Sequence, residues 1–211
     1  DLYFQAMEND NTGNFQSPSL NNLLNTAYNA GARTHTNSWG SSAASQQAKY
    51  NSETEDVDDR ANYYDRYYNG VQGLTILFAA GNDGPGTGTV SPPATAKNVI
   101  SVGNHKNRYS NAPDVMMSGS SRGPTEDGRI KPDLVAPGGY VRSCKAQEAT
   151  DTGSATWSST YYLEYTGTSM ATPNAAGAAV MVREYLEEIA QRPSPQGALV
   201  KALLVLGAQD M

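Results

Sequence analysis

Apolar positions along this chain keep two rhythms, and the rhythms alternate. Leu20, Leu23, Leu24, Ala27 and Tyr28 recur at helical spacing between Ser17-Pro18 and Gly31, which predicts a capped helix with a glycine stop. An extended stretch from Ala32 to Ser38 follows, and then a loop rich in Ser, Ala and Gln from Gly40 to Tyr50. Val57, Ala61, Tyr64 and Tyr68 mark one face of a second helix, acidic in its first turn and ended by Gly70. Leu74-Thr75-Ile76-Leu77-Phe78-Ala79-Ala80 is instead an almost unbroken apolar run of strand length, the pattern of a strand covered on both faces of a parallel sheet. Val99 to Val102 and Leu134 to Ala136 predict two more buried strands, the latter closed by Pro137-Gly138-Gly139. A long helix rich in small residues is expected from Thr168 to about Gln191, and Ser194-Pro195 predicts the start of a last helix holding Leu199, Ala202, Leu203 and Leu206. Helices alternating with buried strands imply an α/β fold, and no repeat or linker divides the chain.

Composition narrows the function. With 211 residues, 38% hydrophobic and 17% charged, the chain suits one globular domain or part of one. Its net charge of −6 argues against nucleic acid or an anionic membrane as partner, since both need a basic stripe. The longest apolar run, Ala198 to Leu206, is interrupted by Lys201 and falls short of the roughly 20 residues of a membrane span. The single cysteine, Cys144, allows no internal disulfide and reads as a small, partly buried apolar residue. Residues 1–7 contain Leu2-Tyr3-Phe4-Gln5, the string of a tag-removal protease site, and read as an expression remnant, with the natural sequence starting near Glu8.

The candidate chemistry lies in Tyr165-Thr166-Gly167-Thr168-Ser169-Met170-Ala171-Thr172-Pro173. Ser169 stands where a glycine-bearing loop turns into a helix, so negative charge developing beside it meets the positive end of the helix dipole and first-turn amides without intrahelical acceptors. Taken alone, a serine at such a place is more often just a helix cap.

The string Gly167 to Pro173 resembles the nucleophile motif of the subtilase family of serine proteases. Ala79-Ala80-Gly81-Asn82-Asp83-Gly84 resembles that family's oxyanion segment, and Asn37-Ser38-Trp39-Gly40 the strand end that lines its substrate cleft. Ser91-Pro92-Pro93-Ala94 with Asn98 to Gly103, Ser121-Arg122-Gly123-Pro124, and Lys131 to Gly138 fit the same family in the same order. From about Leu20 to Met211 the chain is thus identified as the distal part of a subtilase catalytic domain. Gly123 to Asp133 and the insert before Ser169 look most like the larger subtilases that carry an additional β-sandwich.

The resemblance implies a subtilisin-like three-layer α/β/α fold with a mainly parallel sheet, present as an incomplete domain over residues 8–211. It implies an endopeptidase acting on a polypeptide substrate through an acyl-enzyme on Ser169, with Asn82 stabilising the oxyanion. Ser38, Trp39, Gly40, Ala80, Gly81 and Thr168 would bind substrate. It also implies a secretory or extracellular setting and leaves calcium possible. The family's aspartate and H-G-T-H-type histidine segments have no counterpart here, so the chain alone is expected to be inactive. His35 and His105 read as surface or loop residues. Loss of the early strands is expected to expose a sheet edge and the face of Ile76 and Phe78, favouring self-association.

Other readings fit less well. Asp151-Thr152-Gly153-Ser154 imitates an aspartate motif but follows polar residues and reads as a turn. Gly81 to Gly88 leads into extended chain, where a dinucleotide-binding loop would enter a helix. Glu53, Glu55, Asp56, Asp58 and Asp59 read as a solvated first turn, with no loop of EF-hand spacing for calcium. A serine esterase would want G-x-S-x-G and a histidine after the serine, and Ala171 takes the last glycine's place. The rival that remains is a catalytically dead subtilase-like module that binds peptides or partners.

Overall fold

A computed structural model describes residues 2–9, 14–15, 19–66, 73–107, 112–146, 153 and 159–211. Its centre is a four-stranded parallel sheet of β3 (Thr34–Asn37), β4 (Thr75–Ala79), β5 (Ile100–His105) and β6 (Leu134–Pro137), in that spatial order. Four further strands form two antiparallel pairs: β1 (Glu8–Asn9) with β2 (Asn14–Phe15), and β7 (Val141–Cys144) with β8 (Tyr162–Tyr165). The helices are α1 (Leu20–Asn29), α2 (Ser52–Arg66), α3 (Thr168–Glu184) and α4 (Gly197–Leu206).

The two-residue period of β4 sorts its side chains to opposite layers. Ile76 and Phe78 join Leu20, Leu23, Leu24 and Tyr28 of α1 and Val57, Ala61 and Tyr64 of α2 on one face. Leu77 faces the other way, with Ile100 and Val102 of β5 and Ala171, Ala175 and Ala176 of α3. Small residues let α3 approach the sheet closely, and a smaller cluster of Ala179, Leu186 and Val200 ties α4 to it. The fold is therefore the α/β/α arrangement expected.

Several expectations shift. Ile76 and Phe78 are buried beneath α1 and α2 instead of being exposed. Exposed apolar side chains include Val180, Met181, Tyr185 and Ile189 on α3 and its continuation, and Val205 and Leu206 at the end of α4, as well as Phe4, Ile130 and Tyr161 elsewhere. The cap of α1 is Ser19, whose Oγ accepts from the Asn22 N–H; Ser17 and Pro18, like Tyr68, Gly70 and most of Asp151 to Ser154, lie outside the described residues. The long third helix gives way to a π-helical turn over Tyr185–Ile189. α4 starts at Gly197 after Gln196 and has no side-chain cap. Cys144 is exposed on β7, a strand too polar in sequence to announce itself.

Charged groups also fasten the layers. Asp58 is buried rather than solvated, accepting from the Lys97 and Asn98 N–H groups at 2.9 and 2.7 Å and from the Tyr50 hydroxyl at 2.9 Å. The Lys201 ammonium, on α4, turns inward onto the carbonyls of Lys97 and Val99 and the carboxylate of Asp133. Asp133 also holds Lys131, whose pKa burial pushes down to about 8. Residues 2–7 are not detached: Gln5 Nε2 donates to Leu23 O at 3.1 Å, and Met7 packs on the α1–α2 cluster.

Candidate active site

Three chain segments leave the same edge of the sheet and meet at the start of α3. β3 runs into Ser38, β4 into Ala80-Gly81-Asn82, and β6 into Gly138. Gly81 has φ +110, a backbone that disfavours any side chain, and a Cβ there would come within 2.8 Å of Ser121 Oγ. Ser121 in turn accepts the Asp83 N–H and donates its own N–H to Gly81 O, so it braces the turn that aims Asn82. Gly138 is as constrained, because a Cβ would meet Asn104 Cβ, Gly167 O and Ala171 Cβ at 2.5, 2.6 and 2.9 Å. Gly138 O accepts the Gly167 N–H at 2.9 Å, holding the turn that precedes Ser169.

Among the described residues, Asn82 is clamped by its carbonyl end alone. Its Oδ1 accepts the Thr168 N–H at 2.9 Å and the Thr168 hydroxyl at 3.2 Å. With the carbonyl end held against the start of α3, the Nδ2 end points the other way, a donor fixed in direction. Gly167 makes room for it, since a Cβ there would stand 3.3 Å from Asn82 Oδ1.

Ser169 lies in the first turn of α3, where its N–H has no intrahelical acceptor. Its carbonyl is also freed from the helix ladder, because the residue four further on is Pro173, which has no N–H. Ser38 Oγ donates to that carbonyl at 2.8 Å, while Ser169 Oγ donates to Ser38 O at 3.3 Å. The proline thus hands a helix carbonyl to the β3 segment and couples it to Ser169. Sequence reasoning had missed the parts of Pro173, Ser121 and Gly138; the signal for Pro173 was its place four residues after Ser169.

Of the residues expected to bind substrate, Ser38, Gly81 and Thr168 meet around Asn82 and Ser169. Ala80 is buried, with its carbonyl accepting the Ser91 N–H. Trp39 leans on Phe78, edge to face at 5.4 Å. Gly40 abuts Pro92 O, and with Trp39, Ser41, Asn51 and Glu53 it lines a cavity of about 430 Å³ beside the cleft segment.

Neither histidine touches Ser169. His35 is a buried strand residue, not a surface one, bonded to Asn37 and Gln5. His105 ends β5 and engages Lys106 O at 2.6 Å. Among the described residues no group of three or more His, Cys, Asp or Glu side chains is placed to hold a metal. The carboxylates of buried Asp58 and half-buried Asp133 are engaged by N–H, hydroxyl and ammonium donors. No described helix is long and apolar enough to cross a membrane.

The profile of the subtilase family, Peptidase_S8, matches residues 1–211, the first seven included. The chain belongs to the subtilase family. Serine protease AprX of Bacillus subtilis is 37% identical over 145 residues, covering 64% of this chain and 30% of AprX. Among solved structures, Sphericase is 25% identical with a TM-score of 0.62, matching 92% of this chain and 56% of its own. A lanthipeptide protease, 21% identical, shares the fold with a TM-score of 0.66 over 97% of this subtilase chain and 62% of its own. This subtilase chain thus spans about a third of AprX and somewhat over half of these two solved chains, and AprX is named as a serine protease.

Proposed function

We propose that this chain is part of a serine endopeptidase that cleaves polypeptides through an acyl-enzyme on Ser169. The observation that carries the reading is the clamp of Thr168, the residue before Ser169, on Asn82 Oδ1, which leaves Nδ2 as the free donor end of that amide. Nδ2 and the Ser169 N–H, donors fixed before substrate arrives, stabilise an oxyanion without reorganising. Substrate would add as an extended strand beside the cleft segments Ser38 to Gly40 and Ala80 to Asn82. The Ser169 hydroxyl rests on Ser38 O, and an imidazole from outside these 211 residues must draw that proton away for attack.

On this reading the chain by itself is close to inert. In subtilisin, loss of the histidine alone lowers kcat by about 10⁶, and that borrowed magnitude is the expectation here. The outward apolar residues Met181, Tyr185 and Ile189 favour self-association of the isolated chain; sedimentation as a monomer at all concentrations would count against it.

The test is fluorophosphonate labelling of the full-length protein, read by peptide mass spectrometry. Adduct on Ser169, absent in Ser169→Ala, supports the proposal. A second reading, a subtilase-like module that binds peptides without cutting them, draws on the engagement of both histidines elsewhere. A folded full-length protein that takes no label and still binds peptide would favour it.

A further inference from the structure

One polar chain runs through the sheet directly behind the cleft. Asn37 Nδ2 uses both hydrogens: one goes to His35 Nδ1 at 2.9 Å, the other across to Leu77 O on β4 at 3.1 Å. Because that nitrogen only donates, His35 Nδ1 accepts, and the ring proton sits on Nε2, which donates to Gln5 Oε1 at 3.1 Å. Asn37 is 2% exposed and immediately precedes Ser38; Leu77 stands three residues before Ala80. The side chain of Asn37 therefore spans the two strands that carry the two cleft segments.

Among the described residues, none is recorded as a counter-charge to His35. β4 and α1 contain no charged residue. Arg33 turns its guanidinium over the Tyr28 ring and onto the carbonyls of Tyr28 and Ala32. α3, packed across β3, offers Arg183 and Glu184, and Arg183 is engaged by Gly73 O, Pro195 O and Glu187. Burial accordingly depresses the His35 pKa to about 4.

We propose that His35 and Asn37 are positioning residues that hold the two cleft walls in register, and that protonation of His35 releases them. A proton taken from water onto Nδ1 would face the Asn37 donor. Turning the Asn37 amide to accept that proton would set its oxygen against Leu77 O, so the tie between the strands fails either way. The order of Ser38, and with it the anchorage of Ser169, then depends on the charge of a residue that touches no substrate. The inference rests on reading Ser38 and Ala80 to Asn82 as the cleft walls.

Imidazole ¹⁵N spectra of the 211-residue chain test it first. The expected result is the Nε2–H tautomer, a titration well below 6.5, and Ser38, Trp39 and Ala80 amide shifts that follow the same midpoint. In the full-length protein, His35→Gln keeps an acceptor for Asn37 and a donor for Gln5 but cannot titrate. Its labelling rate relative to the parent should rise about fourfold between pH 6 and pH 3.5, the reciprocal of the neutral fraction left half a unit below the pKa. A His35 titrating near 6.5, cleft amides that ignore its titration, or a rate ratio independent of pH would overturn the proposal. Should His35→Gln fail to fold, the amide shifts of the parent chain decide alone. Amides that track His35 in a protein whose Ser169 never takes label would sink the protease reading and leave the positioning role standing.

Discussion

From the α1–α2 layer, across the sheet, to the start of α3, the interactions change in kind. The first region is an apolar interlock of Leu24, Tyr28, Val57, Ile76 and Phe78. The second is held by directed contacts: Thr168 on Asn82, Ser38 on Ser169, Gly167 on Gly138, and glycines where any Cβ would collide. Burial tolerates exchange among side chains of similar volume, whereas a corner built from hydrogen bonds and missing side chains tolerates few substitutions. The first region should therefore govern stability and the second activity, with little crossing between them.

The largest expected effect is on the apolar side. Phe78→Ala should cost about 3–5 kcal/mol of unfolding free energy, measured by urea denaturation. Through the loss of its edge-to-face contact with Trp39, it is also the variant best able to break the separation by disturbing the cleft. Asn82→Ala should do the opposite, lowering kcat of the full-length enzyme by about 10²–10³ with a stability change under about 1 kcal/mol, the scale known for an oxyanion donor in subtilisin. An Asn82→Ala enzyme with raised KM and unchanged kcat would assign Asn82 to ordinary substrate binding.

Acid probes the boundary between the regions. His35 has a folded pKa of about 4 against 6.5 unfolded, so its contribution to stability is fully present above pH 6.5 and is lost as pH falls toward 4. The integrated loss is at most about 3 kcal/mol. Denaturation of His35→Gln across pH 7 to 4 should lack that component, and an acid profile identical to the parent would contradict the assignment. The smallest effect belongs to Pro173→Ala. Restoring an N–H to compete with Ser38 for the Ser169 carbonyl should leave stability within about 1 kcal/mol while lowering kcat more than it raises KM.

The same division explains what the sequence could reveal. The α1 face and the β4 run were legible because burial imposes a period, and Leu20 to Tyr28 and Leu74 to Ala80 sit where that period put them. Gly167 to Pro173 and Ala79 to Gly84 were legible as motifs, and the fold brings them together. His35 was not: a histidine between two threonines looks solvated, and its burial depends on Asn37 beside it and Gln5 thirty residues away. Asp58 was missed likewise, since the amides of Lys97 and Asn98 that bury it lie some forty residues on. β7 escaped notice because it carries Arg142 and Ser143 and gains its place by pairing with β8. Polar residues buried by distant partners leave no local pattern.

The central claim is that Thr168 aims the Asn82 amide at charge developing beside Ser169. A crystal structure of the full-length protein with a peptide aldehyde bound would test it most directly. The account predicts a bond from Ser169 Oγ to the aldehyde carbon, Asn82 Nδ2 about 2.7–3.1 Å from the adduct oxygen, and Asn82 Oδ1 still on the Thr168 N–H. An adduct oxygen turned to solvent, or an Asn82 amide released from Thr168, would contradict it.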